Sequence, residues 1–91
     1  MATIAEWSKI DDANVAQSFA EAQQKLSGSG GEQVLDMSAV RRIDTNGMAA
    51  LGKLVAAAEE KKVKLVLRGV NIDIYRVLKL TRVAERLSFI S

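Results

Sequence analysis

The stretch from Gln33 to Arg68 opens with Gln33-Val34-Leu35-Asp36-Met37, turns through Ile43-Asp44-Thr45-Asn46-Gly47 and closes with Lys64-Leu65-Val66-Leu67-Arg68. The two outer pieces are short aliphatic runs bounded by polar residues, the pattern of strands covered on both faces. Between them Met48, Leu51, Leu54, Val55 and Ala58 recur at helical spacing, and Glu59, Glu60, Lys61 and Lys62 close the pattern with a solvated, self-compensating end. Strand, helix and strand with short joints predict a right-handed βαβ crossover, which makes the two strands parallel neighbours in one sheet.

Working toward the C-terminus, Asn71 is placed to cap a third helix with Ile74, Val77 and Leu78 on its inner face. Thr81 is placed to start a short final helix carrying Val83, Ala84 and Leu87, and Phe89 and Ile90 add a last strand or dock on the core. Toward the N-terminus, Ser27-Gly28-Ser29-Gly30-Gly31 has the glycines of a phosphate-cradling loop, but no Gly-Lys-Ser/Thr follows and a strand, not a helix, comes next. It is expected to be a plain connection. Before it, Val15, Phe19, Ala22 and Leu26 form one apolar helix stripe, with Asp11, Asp12 and Asn14 supplying start signals. Thr3-Ile4-Ala5-Glu6-Trp7 leans toward a strand. The expected fold is a small α/β domain, residues 1–91, with a central mostly parallel or mixed sheet of three to four strands and about four helices packed mainly on one face.

Composition narrows the function. With 91 residues, 48% hydrophobic and 26% charged, the chain suits one globular domain. No run of ~18 apolar residues and no basic-then-apolar leader occurs, so a soluble, cytoplasmic protein without direct membrane insertion is expected. Cys and His are both absent, which removes disulfide scaffolds, zinc fingers, thiol nucleophiles and imidazole bases. The remaining acids suit structural work. Asp36 is placed to end its strand on turn amides and Asp44 to cap a helix. No catalytic residue, metal ligand or cofactor is therefore expected. The formal net charge is +2, yet residues 1–40 hold two bases against six acids and residues 41–91 eleven against five. A basic half attracts nucleic acid by neutralising phosphates, but Trp7, Phe19, Tyr75 and Phe89 are scattered instead of forming a stacking platform. A protein-facing basic surface is the expectation, and no nucleic-acid partner.

The informative segment is Ile43-Asp44-Thr45-Asn46-Gly47, where a loop enters the central helix. Asp, Thr and Asn all cap helices through side-chain oxygens, so a capped helix accounts for the letters. Thr45 also presents a hydroxyl at a helix N-terminus, where an added phosphate would meet exposed N–H groups and the positive dipole end while placing about two negative charges on the surface. That arrangement suits a docking switch, with the start of the central helix, Met48 beside Thr45, as one contact face and Arg41 and Arg42 steering an acidic partner. By spacing alone Met48 fits the core equally well.

Together with Val34-Leu35-Asp36-Met37-Ser38, Ile43-Asp44-Thr45-Asn46-Gly47-Met48, Leu51, Val63–Val70 and Val77-Leu78-Lys79-Leu80, the chain resembles the STAS domain family, named for sulfate transporters and anti-sigma factor antagonists. The resemblance covers about residues 33–87. In the antagonists, the Ser or Thr after the Asp is phosphorylated by the anti-sigma factor, a kinase of the histidine-kinase-like ATPase type, and phosphorylation weakens the complex that frees the sigma factor. Carried over, Thr45 is the phosphorylation site, Asp44 flanks it, and Asn46, Gly47 and Met48 contribute to docking; Asn46 replaces a Ser or Thr often found there. Arg42-Ile43-Asp44-Thr45 and Gly69-Val70-Asn71, with Tyr75, Leu78 and Leu80, are also similar to the STAS subunit of the bacterial lipid-asymmetry ABC transporter, whose partner is the transporter ATPase. The family usually opens with two strands, whereas about ten residues precede the first helix here. A shorter sheet is expected, with an open edge available for homodimer pairing.

Overall fold

The structure, a computed structural model, describes residues 6–26 and 31–90. Its elements follow in the order β1 (Glu6–Lys9), α1 (Val15–Gln24), β2 (Glu32–Asp36), α2 (Thr45–Lys61), β3 (Lys64–Arg68), α3 (Ile72–Lys79), a 3₁₀ turn (Arg82–Arg86) and β4 (Leu87–Ile90). The strands lie side by side in the order of the chain and every pair is parallel. The predicted β2–α2–β3 crossover is present, with Val34 opposite Val66 and Leu35 opposite Leu67. Because all four strands point the same way, their carboxyl ends share one edge of the sheet, and the loops leaving β2 and β3 emerge there side by side. Thr3-Ile4-Ala5 and Ser27–Gly30 lie outside the described residues.

Alternation along the strands divides the sheet into two faces. Leu35, Leu65, Leu67 and Leu87 point into one continuous core with Phe19 and Ala22 of α1, Leu51, Leu54 and Val55 of α2, and Ile74 and Leu78 of α3. All three α-helices therefore cover one face, as the sequence predicts. Val34 and Val66 are buried on the other face and stand outside that core cluster. There the Arg68 guanidinium lies 5.4 Å from the centre of the Trp7 ring, a cation–π contact that spans β2. One polar knot sits inside: Gln33, only 2% exposed, donates through Nε2 to the Ser8 hydroxyl and to the Ala22 carbonyl, both at 3.2 Å. It fastens β1, β2 and α1 together without leaving a buried amide unpaired.

Three expectations change at the C-terminal end. Val77 is not an inner-face residue but is 46% exposed. Helical geometry explains this, since at ~100° per residue Val77 lies about 80° from the middle of the buried Ile74–Leu78 stripe. The final helix is a single 3₁₀ turn, and Leu87 belongs to β4 instead. The short stretch between α3 and β4 suits the tighter winding, which is used for connectors, and the Thr81 hydroxyl donates to the Leu78 carbonyl at 2.7 Å instead of capping the new turn. Phe89 and Ile90 complete β4, with the Phe89 ring edge-on to Tyr75 at 5.1 Å. The charged end of α2 also reaches outward. Glu59 pairs with Arg86 of the 3₁₀ turn, and Lys61 Nζ donates to the Leu26 carbonyl at 2.7 Å.

Candidate functional site

The loop between β2 and α2 is bonded along its length. Asp36 Oδ1 accepts the Ser38 N–H at 3.0 Å, and the Val40 N–H donates to the Met37 carbonyl at 3.0 Å, so the chain turns tightly on leaving the strand. This turn crosses the end of β3 so closely that a Cβ on Gly69 would stand 3.0 Å from Ser38 Cβ and 3.2 Å from its Cα. Gly69 also has φ +72°, the left-handed region that other residues enter only with strain. The glycine after β3 is therefore what lets the site loop lie across the sheet end.

Two side chains from distant elements then hold the loop. Asp12 Oδ1, just ahead of α1, accepts the Arg41 N–H at 2.9 Å. From the opposite side Asn71 Nδ2 donates to the Val40 carbonyl at 3.2 Å and the Arg41 carbonyl at 3.0 Å, while its Oδ1 accepts the Ile74 N–H at 2.8 Å and so caps α3. Past the loop, Asp44 Oδ1 accepts the Gly47 N–H at 2.7 Å and caps α2. Thr45 is the first residue of that helix and is exposed, so the cap is made by its neighbour and its hydroxyl is not needed for it.

Arg41, Arg42, Asp44, Thr45 and Asn46 are each exposed, in the loop and first helical turn that leave the carboxyl edge of the sheet. Gly47 does not join them: it is buried, with its Cα facing Ile43 and Val15. Met48 is half-buried and packs against the core. A cavity of about 580 Å³ opens between the start of α1 and the loop, lined among others by Asp12, Asn14, Arg41, Arg42, Asp44 and Asn46. Its charged groups balance, two arginines against two aspartates. At the rear of the loop the Asp36 carboxyl is held below its ordinary value of 3.8, first by hydrogen bonds from the Ser38 hydroxyl and backbone, then by the charges of Arg68, 4.0 Å away, and Lys9. Among the described residues, no three His, Cys, Asp or Glu side chains gather in a way that could hold a metal ion, and no helix is long and apolar enough to cross a membrane.

Sequence reasoning missed the roles of Asp12 and Asn71 in this surface. Each was legible as a local helix signal, but their bonds to the loop join residues 29 to 31 positions apart. Only the juxtaposition of the three loops that leave β1, β2 and β3 at the sheet edge brings them there.

Comparison with known proteins agrees with this architecture. A family model described as "Mlab, STAS domain" matches residues 9–90. The crystal structure of a sulfate transporter family protein from Wolinella succinogenes superposes with a TM-score of 0.77 at 23% identity, covering 98% of this chain and 80% of that one. A Thermotoga maritima protein described as an anti-sigma factor antagonist superposes with a TM-score of 0.65 at 19% identity, over 93% of this chain and 71% of that one. No match is found among the curated proteins. The parallel sheet, the capped helix entered through Asp44-Thr45 and a family match running over nearly the whole chain lead to one assignment: the chain belongs to the STAS domain family.

Proposed function

We propose that this STAS domain is a non-enzymatic docking module whose hold on a partner is switched by phosphorylation of Thr45, the partner being an anti-sigma factor kinase of the histidine-kinase-like ATPase type. The observation that carries the reading is the exposed Thr45 at the first position of α2, beside the cavity lined by Arg41, Arg42, Asp44 and Asn46. The partner supplies ATP and a base: the Thr45 oxygen attacks the γ-phosphorus, ADP leaves, and the hydroxyl proton passes to the partner. The product adds about two negative charges where arginines and aspartates now balance, so a surface that accepts an acidic partner comes to repel it. The fold tolerates the change because the phosphate sits at a helix N-terminus, near its free N–H groups and the positive end of its dipole.

Affinity co-purification from the native host tests the reading, using the wild type, Thr45→Ala and Thr45→Glu with mass spectrometry of the Thr45 peptide. Recovery of a histidine-kinase-like ATPase with the wild type and Thr45→Ala, its loss with Thr45→Glu and a phosphate on Thr45 are expected. An ABC-transporter ATPase recovered with unmodified Thr45 overturns the switch and makes the domain a transporter accessory. Equal recovery by both variants overturns it as well.

A further inference from the structure

Arg41 and Arg42 line two cavities, one on each side of the loop. The second, about 90 Å³, lies away from α1 between Ile43 and the first turns of α3, where Ile43, Ile74 and Val77 supply apolar walls and Arg41, Arg42 and Asp73 the rim. Liquid water takes about 30 Å³ per molecule, so the space suits a three- or four-carbon side chain and excludes an aromatic ring with its surroundings. Ile74 is fully part of the core, whereas Val77 stands at the mouth, 46% exposed. Further apolar surface continues along the same helix, with Ile72 62% and Leu80 88% exposed.

We propose that this slot seats one branched aliphatic side chain of the docked protein partner, carried on an acidic segment, so that the contact surface runs from Thr45 over the Arg41-Arg42-Ile43 ridge onto α3. The inference rests on the docking reading above and names the chemistry its partner must bring. Charge selects the segment: the rim carries two arginines against Asp73, and Arg76 and Lys79 extend the positive field along the exposed side of α3. Shape selects the anchor, because a slot this small with walls of Ile43, Ile74 and Val77 rewards Leu, Ile or Val, whereas a Lys or Glu seated there would lose water along aliphatic walls that offer no hydrogen bond. The slot is also preformed. Asn71 bonds the loop on one side of it to the helix on the other, so seating a side chain requires little ordering of this chain.

The test is a titration of the ¹⁵N-labelled domain with an acetylated, amidated peptide Glu-Glu-Asp-Leu-Glu-Glu and its twin in which Leu is replaced by Ala. The Leu peptide is expected to shift the amides of Ile43, Ile74 and Val77 saturably, with the Ala twin about fiftyfold weaker for want of three buried carbons. Val77→Phe, which fills the mouth without altering charge, should abolish the difference between the peptides, and Arg42→Glu should weaken both about tenfold. The amide spectrum of each variant reports whether it is folded, and Val77 is exposed enough to accept the larger side chain. Equal binding of the two peptides, shifts confined to another surface, or no saturable shift at millimolar peptide overturns the proposal. None of these results depends on Thr45, so loss of the phosphoswitch and loss of the slot are separate outcomes.

Discussion

Asn71 holds Arg41 by its backbone, donating to the Arg41 carbonyl at 3.0 Å while the other end of the same amide caps α3. One side chain thus sets the distance between the site loop and the third helix. Asn71→Asp keeps an acceptor for the Ile74 N–H but turns a carboxylate toward the Val40 and Arg41 carbonyls. It should destabilise the domain by about 1–3 kcal/mol, more than Asn71→Ser, which keeps a cap and introduces no charge. Urea unfolding checks the order, and amide exchange at Arg41 and Arg42 should quicken in both variants. Equal stability of the Asp variant and the wild type would refute the two-carbonyl tie.

Gly47→Ala puts helix propensity against packing. Alanine gains up to ~1 kcal/mol over glycine inside a helix. Here its Cβ would stand 2.8 Å from Ile43 Cγ2, 3.2 Å from Val15 Cγ1 and 3.3 Å from the capping Asp44 Oδ1. Two branched side chains with little freedom must move, at about 1–3 kcal/mol. Packing is expected to win, with a lowered unfolding midpoint and an altered Thr45 environment; a stabilised variant would show that Ile43 yields without cost.

Gly69→Ala should be worse tolerated than a helical glycine replacement. A left-handed backbone costs an alanine about 1–2 kcal/mol, and the new Cβ also meets Ser38 at 3.0 Å, in part through backbone that cannot rotate away. A loss of at least ~2 kcal/mol in chemical denaturation is expected, together with displacement of the loop that carries Arg41 and Arg42.

Acid should release the rear of the site. The Asp36 carboxyl is held below its ordinary value by the Ser38 hydroxyl and backbone and then by Arg68 and Lys9, so it binds its proton more weakly folded than unfolded. Its contribution is present above the ordinary value of 3.8 and is lost as the pH falls through that value toward the lowered one. Asp36→Asn retains an acceptor for the Ser38 N–H without the titration. The variant should therefore be less stable than the wild type at neutral pH, and the gap should close below about pH 4. Urea midpoints measured from pH 6 to pH 2 check this, and a constant gap contradicts it.

What the sequence made legible is what repeats along it. The aliphatic runs at Val34 and Leu65 and the Met48–Ala58 periodicity give β2, α2 and β3, because period and burial are tied within each element. Asp44 as the cap of α2 and Asn71 as the cap of α3 follow from local chemistry alone. The C-terminal end was less legible: Val77 and Leu78 are adjacent aliphatics, and the pattern does not say which one turns inward until α3 has a sheet to face. Within the site, the exposed positions of Arg41, Arg42 and Thr45 follow from loop and helix-start placement, whereas the burial of Gly47 depends on Val15, a residue of another helix. Asp12 and Asn71 show the same limit, since what each does for the loop is a property of the sheet edge and not of its neighbours in the chain.

At Arg41 the loop is tied through main-chain atoms, its N–H and the carbonyls of Val40 and Arg41, while the side chains of Val40 and Ile43 pack on the core. The side chains of positions 41 and 42 carry none of that anchoring and are exposed. Their chemistry is thus uncoupled from the scaffold that displays them. Other side chains that leave the main chain unconstrained would inherit the same posture, whereas proline at 41 lacks the amide that Asp12 holds. Such an arrangement lets partner preference be rewritten at two positions, by natural drift or in a library, while foldability is left untouched.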